Sequence, residues 1–222
     1  MRRPRRHEFR SRSFRFARFG SAMAISQIPG FQPPIDRLFR LANCSFDPDA
    51  FRRECEQFAT FVPDSFRDDS WRFSLGEGAT LVVALETELT GRNPNGWPEY
   101  RQLFVSCAFL SICWWETFSK SDHASLESWQ RERQEFDWLY ADALARTVDV
   151  LGPPRIDGAD TDEDRHHYAI WRGNTGLLIL QQSTFDPQFG LDVNYWIQRW
   201  SGPDPQPTSP FIDWLLQLST NS

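Results

Sequence analysis

The chain has 222 residues, 40% of them hydrophobic and 24% charged, which fits one domain or two small halves sharing a core large enough to fold without a metal or a disulfide. Its four cysteines, Cys44, Cys55, Cys107 and Cys113, form no C-x-x-C pair, and no apolar run reaches the roughly 18 residues of a membrane span. These features exclude a disulfide scaffold and a membrane helix, and reduced thiols in a cytoplasmic protein are expected.

The formal net charge of −6 averages two unlike regions. Eight arginines lie in the first eighteen residues beside one acid, Glu8; of 24 basic and 30 acidic side chains the rest of the chain therefore keeps 16 and 29, a balance of −13. The arginines, with Phe9, Phe14, Phe16 and Phe19 between them, suit nonspecific contact with a phosphate backbone, and the same composition suits an organellar transit peptide. Met23 offers an alternative start that makes residues 1–22 an upstream misreading. Residues 1–34 thus read as a disordered basic arm and a proline-rich lead-in, and residues 35–222 as a single α+β domain. Nucleic acid is an expected partner only through that arm.

Along the chain, Gly30-Phe31-Gln32-Pro33-Pro34 predicts an irregular segment, because proline fixes φ and restricts its predecessor. A short helix over Ile35 to Ala42 follows. Asp47-Pro48 starts a second helix with an acidic N-cap and proline at the first helical position; Phe51, Cys55, Phe58 and Val62 share its face, and Pro63 ends it. Next comes a glycine hairpin led by tryptophan, Trp71-Arg72-Phe73-Ser74-Leu75-Gly76-Glu77-Gly78. Its second strand is apolar at five successive positions, Leu81 to Leu85. Alternation does not give such a run, so a central strand covered on both faces is expected. After the turn-rich Gly91 to Pro98, a strand over Arg101 to Ile112 places Leu103, Val105, Cys107 and Phe109 toward the core.

The longest element is a helix over Ser125 to Leu151, with Trp129, Phe136, Tyr140, Ala143, Leu144, Thr147, Val148 and Leu151 as its apolar stripe, stopped by Gly152-Pro153-Pro154. An acidic loop, Asp157 to Asp164, precedes a second tryptophan-led hairpin, Trp171-Arg172-Gly173-Asn174-Thr175-Gly176, which leads into Leu177-Leu178-Ile179-Leu180. A strand over Asp192 to Trp200 alternates Val193, Tyr195 and Ile197, and Ser209-Pro210 starts a closing helix with Phe211, Trp214, Leu215 and Leu218 on one face. The order of elements predicts an α+β fold, a largely antiparallel sheet flanked by helices. The hairpin recurring one hundred residues apart implies two related helix-plus-three-strand halves.

Motifs for chemistry are sparse. Asp160-Thr161-Asp162-Glu163-Asp164 copies the opening of a calcium loop, but Arg165 replaces the turn glycine and Trp171 the bidentate glutamate, leaving a solvated acidic loop. His166 and His167 are neighbours, which a strand sends to opposite faces, so they do not share one zinc ion. No H-E-x-x-H, G-x-S-x-G, Walker A or G-x-G-x-x-G motif is present, and no catalytic residue, metal or cofactor is assigned. Acid-base chemistry would draw on Glu86, Glu88, Glu116, Asp186 or Asp192, where a tryptophan neighbour raises a carboxyl pKa.

Ten tryptophans exceed what a core of this size requires. Those at loops or strand ends, Trp97, Trp114, Trp115 and Trp200, together with Glu116 and Asp186, make the candidate binding set, because tryptophan removes large area from water at low entropic cost. The stretch from Trp171-Arg172-Gly173 to Gln188-Phe189-Gly190-Leu191-Asp192, with Leu177-Leu178-Ile179-Leu180-Gln181-Gln182 at its centre, resembles small bacterial α+β proteins, some of them similar to toxin-neutralising immunity proteins. The resemblance covers the C-terminal third and carries over no residue role; it implies an inhibitor of another protein. An acidic, aromatic-rich body suits that role through charge complementarity. The expected function is non-catalytic binding of a protein partner or a second copy, with no membrane involvement. The alternative is a small-molecule-binding domain or hydrolase whose pocket lies between sheet and helix, using Trp114, Glu116, His123 or His167.

Overall fold

The computed structural model describes residues 25–28, 30–63, 69–96, 98–115, 126–160, 166–186, 190–208, 210–211 and 213–215. In chain order the elements are β1 (Ile25–Gln27), α1 (Ile35–Leu41), α2 (Pro48–Glu56), β2 (Thr60–Val62), β3 (Ser70–Gly76), β4 (Ala79–Arg92), β5 (Pro98–Trp115), α3 (Leu126–Leu151), β6 (Ile156–Ala159), β7 (His167–Arg172), β8 (Gly176–Asp186) and β9 (Gly190–Arg199). Local chemistry sets the helix ends. The Asp47 carboxylate accepts the Ala50 N–H at 3.0 Å and Pro48 opens α2. Gly152 stops α3 at φ 80°, donating its N–H to the Val148 carbonyl at 2.8 Å, a left-handed turn that glycine adopts without steric cost.

The strands form one sheet in the order β2-β3-β4-β5-β9-β8-β7-β6, with β1 added beside β5, and every pairing is antiparallel. The fold is α+β, as the order of elements predicts. Each half is a helix-led meander of four strands, however, because β2 and β6 extend the three expected. β2 corrects the predicted continuation of the second helix to Val62: the residue before a proline is driven out of the helical region, so the chain before Pro63 extends and pairs with β3. The sheet also begins upstream of residue 35, since β1 pairs with Ile25 opposite Trp115 and Phe31 packs against the core.

The registers relate the two halves. Trp71 lies opposite Val83, Val83 opposite Ala108, and Ala108 opposite Ile197, which continues through Leu178 to Trp171. Read from either end, this row starts at a hairpin tryptophan and reaches the centre in the same number of steps. A pseudo-two-fold axis therefore passes through the Ala108–Ile197 pair. It equates Trp71 with Trp171, Arg72 with Arg172, Val82 with Leu177 and Ala84 with Ile179. The two hairpin tryptophans thus hold matching positions in the sheet, although Trp71 pairs with Val83 across twelve residues of chain and Trp171 with Leu178 across seven.

Helices α1, α2 and α3 cover one face of the sheet, the inner face. All six residues of the row belong to its core, with Leu38 and Leu41 of α1, Phe51 and Cys55 of α2, and Phe136 and Ala143 of α3. On the outer face Ile170, Leu177, Ile179 and Trp196 pack against Phe211, Trp214 and Leu215 from the chain beyond β9. Two expectations change here. Irregularities in the β4·β5 register break the alternation expected from Leu103 to Phe109: Val105, Ala108 and Leu110 join the inner core, Cys107 and Phe109 turn to the outer face, and Leu103 is exposed. Asp160 is not solvated. It is buried, and its carboxylate accepts the Phe211 N–H at 2.7 Å.

The end of α1 is clasped by the β7–β8 turn of the other half. The Asn174 N–H donates to Asn43 Oδ1 at 2.9 Å, the Thr175 N–H donates to the Ala42 carbonyl at 3.3 Å, and the Thr175 hydroxyl lies 2.5 Å from the Cys44 carbonyl. A Cβ on Gly173 would stand 2.2 Å from the Ala42 carbonyl oxygen, a backbone atom with no room to yield. Gly173→Ala should therefore destabilise the fold by about 2 kcal/mol in urea unfolding, the scale of an overpacked site. Gly91→Ala, where a Cβ meets nothing within 4 Å, is the control, and equal stability of the two variants would refute the clasp.

Candidate functional site

Much of the predicted binding set converges at one end of the sheet. β5 finishes at Trp114 and Trp115, which stand opposite Asp192 and Leu191 of β9. On the far side of β9, Ser183 is opposite Asp192 and Asp186 opposite Gly190. The topology thus gathers Trp114, Trp115, Asp186 and Asp192. Trp200 lies eight residues further along β9, about 26 Å away at the strand rise. Its indole donates to the Pro203 carbonyl at 2.7 Å and its ring tilts against Trp214 at 6.4 Å, so it anchors the segment beyond β9. Trp97, Glu116 and His123 lie outside the described residues.

Beside this end the outer face turns polar. Tyr168, Gln181, Asn194 and Ser111 form one cross-strand row over β7, β8, β9 and β5. Gln181 is fully buried, and among the described residues neither its amide nitrogen nor its oxygen has a hydrogen-bond partner, an arrangement that without a partner costs of order 1–3 kcal/mol per group. One step along, burial pushes the Asp192 carboxyl up to about 7. A carboxyl there exchanges its proton near neutrality, the range in which general acids and bases operate. Asp192 stood among the sequence candidates; Gln181 did not, because a glutamine ending an apolar run reads as a strand end. Its neighbour Gln182 is satisfied, donating to Asp137 Oδ1 at 2.9 Å and accepting the His167 N–H at 3.0 Å.

A groove lies on the opposite face. About 330 Å³ opens between the lead-in and α3, lined by Pro33, Pro34, Asp36, Arg146, Asp149 and Tyr195. At its floor the Tyr195 hydroxyl is 2.7 Å from Thr147 Oγ1, and burial pushes it up to about 12. Arg146 is ion-paired with Asp142. Asp192 alternates to the other face from Val193 and Tyr195, so the titrating carboxyl and the groove do not make one site. His167 stacks on Tyr140 at 5.5 Å. Burial raises the thiols of Cys55 and Cys113, the latter to about 12, which suits apolar packing and not nucleophilic attack. Among the described residues no group of three or more His, Cys, Asp or Glu is placed to hold a metal ion, and no helix is long and apolar enough to cross a membrane.

A further surface was not legible as a site. From Glu86 and Phe104 outward, among the described residues β4 and β5 pair only with each other, as a two-stranded ribbon. Leu89 and Tyr100 face one another across it at 59% and 44% exposure, Leu103 follows at 42%, and Arg101 bridges Glu88 at 2.5 Å. On α3, Trp138 is 63% exposed. No protein-family model matches the chain, and no significant match exists among curated proteins or solved structures.

The Asp192 shift has a pH consequence. Its carboxyl rises from 3.8 to about 7 on folding, so between those values the native state holds a proton that the unfolded chain has lost. The stability contributed is complete below the lower value and is lost as pH rises through the upper. Asp192→Asn should remove that loss and be the more stable protein at about pH 8 but not at about pH 4, measured by urea unfolding. An unchanged pH slope in the variant would refute the shift.

Proposed function

We propose that the protein acts by binding another protein, without catalysis, as an inhibitor of the immunity type working in the cytoplasm. The observation that carries this reading is the β4–β5 ribbon: a cross-strand leucine and tyrosine with a second leucine beside them, all exposed, have the aromatic and aliphatic character of interface anchors. The −13 body adds long-range attraction for a basic partner, and the resemblance of the C-terminal third supports the inhibitor role. The groove supports a second reading, a small-molecule-binding domain, because its volume reaches the lower end of ligand pockets. A hydrolase is less well supported, since the titrating carboxyl lies on the other face.

In a pull-down from native lysate, Leu89→Ser combined with Tyr100→Ser should weaken recovery of the bound protein at least about tenfold, as loss of interface anchors does. The thermal midpoint should stay within about 3 °C, because both side chains are exposed. Raising salt should slow association of the wild type. Undiminished recovery by the double variant would remove the ribbon from the interface.

A further inference from the structure

We propose that the β5 edge of the ribbon pairs with the same edge of a second copy of the chain, joining two ribbons into a four-stranded antiparallel sheet about a two-fold axis at Tyr100. On the side of β5 away from β4, β9 pairs from Cys107 onward and the Val105 N–H donates to the Phe46 carbonyl at 2.9 Å. Nearer the turn no strand lies on that side among the described residues, and five successive residues, Glu99 to Leu103, are exposed to solvent. The outward N–H and C=O groups of such an edge are a template for another strand. A two-stranded ribbon is also marginally stable in water, whereas three or more strands support one another.

The charges of the edge identify the occupant. Antiparallel pairing centred on Tyr100 sets Glu99 of each copy opposite Arg101 of the other, and the two-fold repeats the pair. The ribbon extends both rows. Glu88 stands opposite Arg101 and bonds it at 2.5 Å, so each arginine comes to lie between its own Glu88 and the second copy's Glu99. Glu99 itself stands opposite Gly91, which has no side chain to answer its charge. On the other face Leu89 stands opposite Tyr100, and the apolar row becomes leucine, tyrosine, tyrosine, leucine across the two copies. Opposite charges and aromatic pairs directly across antiparallel strands stabilise them, and like charges do the reverse. Moving the centre to Arg101 would set the two arginines against each other. The β4 edge offers no such match: from Glu86 to Gly91 it carries two acids and no base, and Arg92 donates to the Gly96 carbonyl at 2.7 Å. Pro98 falls opposite Gln102 at the limit of the pairing, the first residue of β5, where a missing N–H is tolerated. The contact does not rest on the protein-binding reading; it would bring the anchors of two copies side by side.

Sedimentation of the full-length protein from micromolar to millimolar concentration, the range of a small interface, should show a monomer–dimer equilibrium. Arg101→Glu sets acid against acid at both symmetry-related places, and Glu99→Arg sets arginine against arginine. Each variant alone should self-associate at least about tenfold more weakly than the wild type. Mixed in equal amounts, the two should regain at least about tenfold as a heterodimer, because each then meets the opposite charge; that recovery also rules out misfolding as the cause of the loss. A monomer throughout the range, self-association that neither substitution alters, or a mixture no tighter than its components would each overturn the proposal. A monomer that still recovers a bound protein from lysate would overturn the dimer and leave the protein-binding reading standing, whereas a charge-dependent dimer that recovers none would support the dimer and count against that reading.

Discussion

The β5·β9 pairing is the interaction on which the rest depends. It joins the last strand of one meander to the last strand of the other, and it does so in a register that sets Ala108 against Ile197. A slip of one residue there would send every side chain of one half to the wrong face. Trp71 and Val83 of one half, or Leu178 and Trp171 of the other, would leave the inner core, where each large side chain contributes about 1.5–3 kcal/mol by burial. The inner core is continuous across this pair.

Cover is distributed unequally over this symmetric sheet. The inner face is closed by helices from both halves, and the clasp of α1 by the β7–β8 turn ties the first helix to the second hairpin. Among the described residues, the outer face is closed over the second half by Phe211, Trp214 and Leu215. There Arg155 and Arg172 hold Asp204, with Arg155 lowering its carboxyl below the usual range, and Asp160 holds the backbone at Phe211. The ribbon of β4 and β5 belongs to the other half.

Legibility followed the range of the forces involved. Local chemistry wrote the extent of α1, the start of α2 and the stop of α3, and the apolar run and glycine turns wrote both hairpins. Short-range patterns did not resolve β2, whose residues continue a helical spacing until Pro63 forbids it, nor the irregularities that turn Cys107 and Phe109 outward. The candidate binding set is split in space. Strand ends gathered Trp114, Trp115 and Asp186, but Trp200 is spent on Pro203 and Trp214, a partnership between residues that spacing alone does not reveal. Asp160 misled for the same reason, since its partner lies fifty-one residues away. The unbroken apolar character of Leu81 to Leu85 overstates the cover of that strand, since Val82 and Ala84 are only partly buried.

Amide–amide NOEs between β5 and β9 in a perdeuterated sample test the central claim most directly. Contacts centred on Ala108 with Ile197, flanked by Cys107 with Gln198 and Phe109 with Trp196, would establish the register and with it the equivalence of the two halves. Contacts shifted by one residue, or β5 adjacent to another strand, would dissolve the pseudo-two-fold and the account built on it.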